Sequence, residues 1–307
     1  MNPSTASEGR TLPALALVFN AFVWGVSWWP FRELQAHGLH PLWATAGIYF
    51  FSLAALLAWR PQAWRGFAGQ PQLVLLMLAA GLTNVGFNWA VTVGDVVRVV
   101  LLFYLMPAWS TLLAWPLLGE RPTAASLLRL AVAMVGVAVI LKTPEASWPL
   151  PEGLADGLAL LGGFSFALTN ILLRRLQKAP AATRIGAMFS GGALAALAAA
   201  LAGMAQGAVA APSALPAGAL LLGLLLSLGF LAGNAALQFG ATRLPAQTTA
   251  LVMLSEVLFA SATSVVAGAA ELSPRVWTGG ALVVLAAAWS AWAAPRDAAP
   301  DAAQSAP

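Results

Sequence analysis

Ten stretches of this chain are long and apolar enough to cross a lipid bilayer, and most of the polar sequence between them is short. A crossing helix needs about 20 apolar residues. Segments 12–31, 41–59, 72–93, 97–118, 123–141, 154–173, 183–205, 217–240, 246–268 and 275–293 meet that need. They are too long for the strands of a membrane barrel and lack its alternation. Only 8% of residues are charged, where a soluble domain carries about a quarter. The expected fold class is an all-α membrane protein with ten transmembrane helices.

The chain starts with a polar segment, 1–11, expected to be cytoplasmic. The first apolar run is too long and too rich in tryptophan for a cleaved signal peptide. Residues 142–153 read as a periplasmic connector, and the Pro/Ala-rich end, 294–307, reads as a disordered cytoplasmic tail. With the N-terminus inside, 11 of the 15 Lys and Arg fall on the cytoplasmic side and 4 on the other. Positive charge favours the cytoplasmic side, so both termini are expected there. Net charge is +4, yet the basic residues form no face with interleaved aromatics, which argues against nucleic acid. With no cysteine, disulfides and thiolate metal sites are excluded. His37 and His40, the two histidines, share one loop and lack a ligand partner at useful spacing. No metal, cofactor or catalytic set is expected, and no phosphate-binding GxxxxGK[ST] loop is present.

The chain also repeats itself. NVGFNWAVT at 84–92 aligns with NAALQFGAT at 234–242 at a shift of 150, pairing Asn84 with Asn234 and Asn88 with Gln238. Upstream, a shift of 142 pairs Trp24 with Phe166 and Ser27 with Thr169. Each copy, 12–141 and 154–293, holds five spans. Five is odd, so the second copy enters the membrane from the opposite face, as in an inverted repeat. Such proteins are most simply transporters with the site between the halves.

Two readings stay open for most polar residues in the spans. The amides Asn84, Asn88, Asn234 and Gln238 offer both donors and acceptors and so suit a zwitterion; helix-to-helix hydrogen bonding is the alternative. Trp24, Tyr104, Met106, Phe164 and Phe166 could line an apolar pocket or merely pack. Glu256 is the sole carboxylate deep in a span, a candidate for proton coupling or a neutral packing group. Pro107, in mid-span, reads as a hinge or a fixed bend. Arg129 reads as snorkelling to the headgroups, and Asp95 and Arg98 as a pair at an outer turn. Trp28, Trp29, Trp43 and Trp148 lie near span ends and read as interface anchors.

Segments 24–57 and 107–141 resemble the first hairpin and the fourth and fifth helices of an EamA domain of the drug/metabolite transporter superfamily. YLMPAWSTLLA at 104–114 resembles the fourth helix of the YddG-type exporters of aromatic amino acids. Tyr104 and Pro107 match that pattern, whereas Met106 replaces a tryptophan and Val257 replaces the second-half proline. The resemblance implies that Trp24, Tyr104 and Phe166 line a cavity. It also implies an exporter of aromatic and bulky neutral amino acids in the bacterial inner membrane, acting by alternating access as a monomer or weak dimer. The flexible Met106 side chain broadens the expected range. Scarce buried charge favours a zwitterion over a phosphate-bearing substrate. A broad drug or metabolite exporter, and a non-transporting scaffold or lipid-binding protein, are the competing readings.

Overall fold

A computed structural model describes residues 3–67, 70–93, 96–141, 153–267 and 274–293. Asp95, Trp148, the side chain of Arg98, most of the expected connector and the C-terminal tail lie outside the described residues. The described chain is built from twelve α-helices, with one 3-10 segment, Pro61–Phe67, after the second. They are α1 (Pro3–Ala36), α2 (Pro41–Trp59), α3 (Pro71–Val93), α4 (Val96–Phe103), α5 (Met106–Leu118) and α6 (Ala124–Leu141), then α7 (Leu154–Arg175), α8 (Ala181–Ala205), α9 (Ala217–Ala241), α10 (Ala246–Met253), α11 (Glu256–Val266) and α12 (Pro274–Ala293).

The stops and starts follow local chemistry. His40 caps α2, its Nδ1 accepting from Leu42 N at 3.2 Å, and Pro41 fills the first turn, where no N–H is needed. Gly119 ends α5 with φ of 73° and Gly207 follows α8 with φ of 72°, a left-handed backbone that glycine adopts without strain. Asp156 in the first turn of α7 and Arg174 and Arg175 in its last turn complement the helix dipole.

Six helical segments are long and apolar enough to cross a membrane: Thr11–Ala36, Pro41–Trp59, Pro71–Ala90, Leu154–Arg175, Ala181–Ala205 and Ala217–Ala241. Shorter apolar helices cover Ala124–Val139, Ala246–Ala260 and Trp277–Ser290. Their outer faces are apolar: Leu220, Leu221, Leu224, Leu225 and Leu228 of α9 are all exposed. A belt of that size on a water-facing surface would drive aggregation; facing lipid, it is at no disadvantage.

Two expected spans are broken. The fourth is interrupted at Tyr104–Leu105 and the ninth at Leu254–Ser255. Pro107 therefore does not kink a continuous helix: it opens α5, beside the N-cap Leu105. The break has a physical cause. Pro107 has no N–H for the Phe103 carbonyl four residues earlier, and Gly163 gives that carbonyl room. A Cβ at Gly163 would sit 2.5 Å from the Phe103 oxygen. The second break forms without proline, where the Ser255 hydroxyl donates to the Val252 carbonyl at 2.8 Å.

The repeat extends to element boundaries. α4, α5 and α6 begin at Val96, Met106 and Ala124; α10, α11 and α12 begin at Ala246, Glu256 and Pro274, each 150 residues later. The packing repeats too. α3 packs on α7 as α9 does on α1, α5 on α7 as α11 does on α1, and α4 on α7 as α10 does on α1. α2 pairs with α8 and α6 with α12. Exchanging the halves reproduces this set of neighbours. Backbones come close where side chains are smallest. A Cβ at Gly86 would meet the Leu158 carbonyl at 2.7 Å, and one at Gly81 the Gly191 carbonyl at 2.7 Å. Small residues allow this approach between helices that lack a hydrophobic drive in lipid.

Candidate functional site

The residues singled out in the sequence fall into four neighbourhoods. In the first, Trp24 stacks on Phe230 with centroids 4.5 Å apart. Phe230 meets Tyr49 edge-on at 6.0 Å, and the Tyr49 hydroxyl donates to Asn84 Oδ1 at 2.8 Å. Asn84 Nδ2 donates to the Ala80 carbonyl at 2.8 Å. Trp24 and Asn84 are thus joined through two rings, Phe230 and Tyr49, that no sequence motif singled out. Both faces of the Asn84 amide are already engaged.

The second neighbourhood gathers round Phe103. Phe103 lies 5.9 Å from the Tyr104 ring and 6.1 Å from that of Phe166. Met106 and Tyr104 are buried in the same core cluster. Glu256, at the start of α11, acts electrostatically on Tyr104, and residues from both helix breaks, Tyr104 and Met106 with Leu254 and Val257, share one buried cluster. Among the described residues Glu256 has no ion-pair partner. Phe164 instead turns outward, edge-on to Trp109 at 5.8 Å.

The third neighbourhood lies between α1 and α9. Asn234 is buried and its Oδ1 has no partner. Asn20, also buried, donates through Nδ2 to the Met253 sulfur at 3.3 Å, and its Oδ1 is unpaired. A Cβ on Gly233, next to Asn234, would lie 3.1 Å from that oxygen. Two unpaired amide oxygens therefore sit on touching helices beside the second break. Asn170 on α7 is buried with both amide atoms unpaired, and Trp109 on α5 with its ring N–H unpaired. Buried polar atoms are rarely left so. Asn20 and Asn170 stand 150 residues apart, the offset that also pairs Asn84 with Asn234, and were missed because the first and sixth spans align at 142.

Gln238 belongs to a fourth place. Its Oε1 accepts from Arg184 Nε at 2.6 Å and its Nε2 reaches the Met188 sulfur at 3.0 Å. Asn88, its partner in the repeat, donates to Thr45 Oγ1 at 2.6 Å. Both bonds join the early part of one helix, α2 or α8, to the late part of the next. Around Gln238 lies a cavity of about 530 Å³, lined also by Arg184, Phe239, Thr242 and Arg243.

One anchoring expectation changes, and two of the anchor tryptophans gain partners within the chain. Arg129 does not snorkel: it is 3% exposed, with its guanidinium 5.7 Å from the Trp289 ring centre. Trp28 donates inward to Thr263 Oγ1 at 2.9 Å. Trp43 donates to the Ala210 carbonyl at 3.0 Å. Between α5 and α6, Glu120 accepts from the backbone N–H of Ala246 at 3.2 Å and lies 3.7 Å from Arg174 Nε. Burial pushes its carboxyl above the usual 4.5, against the opposing pull of Ala246 and Arg174.

Residues 11–142 match the EamA-like transporter family. The EamA-like region takes in α1 to α6, including the first helix break and the Glu120 turn. A solved crystal structure superposes with a TM-score of 0.75 at 19% identity, covering 94% of this chain and 99% of its own. At that identity the likeness carries the fold alone. No curated protein matches the chain. The EamA-like match points to a multi-pass membrane transporter and leaves the transported solute open.

Proposed function

We propose that this chain is an exporter of the drug/metabolite transporter superfamily, moving bulky neutral amino acids, aromatic ones among them, out of the bacterial cytoplasm. It crosses the inner membrane ten times as two inverted halves, with both termini cytoplasmic, and works by alternating access. It needs no cofactor. The observation that carries the reading is that Asn20 and Asn234, on the packed helices α1 and α9, are both buried with their Oδ1 atoms unpaired. An ammonium group has three donors and no acceptor, so two acceptor oxygens free of bulk water suit it. The stacked rings of Trp24 and Phe230, with Tyr49 edge-on to Phe230, supply an apolar wall, as an aromatic side chain requires. Met106 and Tyr104 at the first break and Phe166 on α7 are assigned to the same solute path, on the family resemblance. Glu256, at the second break, is the coupling group for protons. A scaffold or lipid-binding protein would have no use for unpaired amides, which cost stability.

The test is substrate-dependent flux in proteoliposomes of purified protein. Phenylalanine, tryptophan and leucine are expected to move and to compete with one another. Flux of lipophilic cations with no competition from amino acids would favour a broad drug exporter instead.

A further inference from the structure

The cavity round Gln238 is lined by charged side chains of a single sign. It lies where the α7–α8 connection and the start of α8 meet the end of α9. Two guanidinium groups, Arg184 and Arg243, line it, and no carboxylate does. Arg184 is 4% exposed. Its Nε donates to Gln238, and its Nη1 donates to the carbonyls of Leu176 at 2.8 Å, Gln177 at 3.3 Å and Ala179. Its Nη2 has no partner among the described residues. The arginine is therefore fixed by four acceptors on two of its nitrogens, which leaves the third free to donate to a ligand in the cavity that Arg184 lines. Arg243 follows the C-terminal end of α9 and is exposed, its guanidinium 3.9 Å from the Phe239 ring centre and its Nη1 donating to the Phe239 carbonyl at 2.9 Å. The remaining lining is Gln177 and Thr242 on the polar side and Ile185, Phe239 and three alanines on the apolar side.

A fixed, largely desolvated guanidinium with an open donor, sharing a half-apolar cavity with a second cation, is the chemistry of oxyanion capture. A cleft lined by one sign of charge also concentrates the opposite sign. We propose that this cavity is a docking site for the carboxylate of an amphiphilic organic acid, at the mouth through which solute enters the bundle. It rests on the transport reading for the route the solute then takes. Gln238 is a positioning residue that holds Arg184. Because both charges are positive, an acid without a neighbouring ammonium binds more tightly than the corresponding amino acid.

The probes are 3-phenylpropanoate, phenylalanine and 2-phenylethylamine, which share one ring and differ in charge. Equilibrium binding is measured on the full chain in phosphatidylcholine nanodiscs. The expected order is 3-phenylpropanoate, then phenylalanine, with no binding of the amine at this site. Arg243→Gln is expected to weaken 3-phenylpropanoate about tenfold, the scale of one lost charge-assisted bond, and Arg243→Glu to abolish it. Arg184→Gln also uncaps three carbonyls, so the exposed Arg243 decides the question. Equal binding of acid and amine, or undiminished binding in Arg243→Glu, overturns the proposal. Arg243-dependent retention of phosphatidylglycerol, with no binding of 3-phenylpropanoate, assigns the pocket to lipid headgroups and overturns it too. Acid binding in a protein without flux of any solute removes the transport reading alone. Flux with charge-blind binding removes this proposal alone.

Discussion

The Tyr49 hydroxyl donates to the Asn84 carbonyl oxygen across 2.8 Å, joining the middle of α2 to α3. Asn84 is 7% exposed and its amide nitrogen is tied to Ala80. Removing the hydroxyl leaves a buried acceptor unpaired, a loss of roughly 1–3 kcal/mol. Tyr49→Phe is expected to lower the melting temperature in detergent, read by tryptophan fluorescence, and Asn84→Leu to lower it further.

Asn234→Leu separates function from folding more cleanly. Its Oδ1 has no partner, so the substitution removes an unpaired buried acceptor. Melting is expected to hold or rise while phenylalanine flux in proteoliposomes falls at least about tenfold, the scale of one lost charge-assisted hydrogen bond. Wild-type flux in this variant excludes Asn234 from the solute path.

Gly191 faces the carbonyl of Met77 where α3 crosses α8, in a contact with no room for a Cβ. Gly191→Ala forces the helices apart and is expected to cost about 1–3 kcal/mol or more. The check is the yield and melting point of the monodisperse protein. A neutral result would mean that α3 and α8 do not pack as described.

Glu120 gives the fold a pH dependence. Burial raises its carboxyl above 4.5. The folded chain therefore takes up a proton at higher pH than the unfolded chain. Its contribution to stability is greatest below 4.5 and declines as pH rises through the elevated value. Melting curves between pH 4 and 7 are expected to show this slope in the wild type, and Glu120→Gln is expected to flatten it.

Glu256 begins α11 beside Tyr104, with no ion-pair partner among the described residues. Glu256→Gln keeps the shape and removes the titration. Phenylalanine flux is expected to lose its dependence on an imposed proton gradient while continuing down its own gradient. Retained gradient dependence moves the coupling to another group.

The helices were legible because length and hydropathy report burial in lipid directly. The breaks were half legible. Pro107 announces one in the sequence, but Val257 stands where its counterpart would be, and the second break follows from the Ser255 hydroxyl and packing against Gly25. The amide repeat located α3 and α9 correctly, yet equal positions acquired unequal partners. Asn88 meets Thr45, whereas Gln238 meets Arg184. Sequence offset fixes where a side chain starts and not what stands opposite. Arg184 counted only as a basic residue near a span end, since its role depends on carbonyls of the preceding turn.

The two interruptions differ in a way that bears on movement. At 104–107 the lost hydrogen bond cannot be regained, because Pro107 has no proton to offer Phe103. At 254–257 every residue has one: Val257 N already reaches the Leu254 carbonyl at 3.1 Å. That arm can rewind into a single straight rod at the expense of a few bent hydrogen bonds; the other stays jointed. The two halves are thus mechanically unequal, and the alternating-access cycle proposed above would draw its long stroke from α10 and α11.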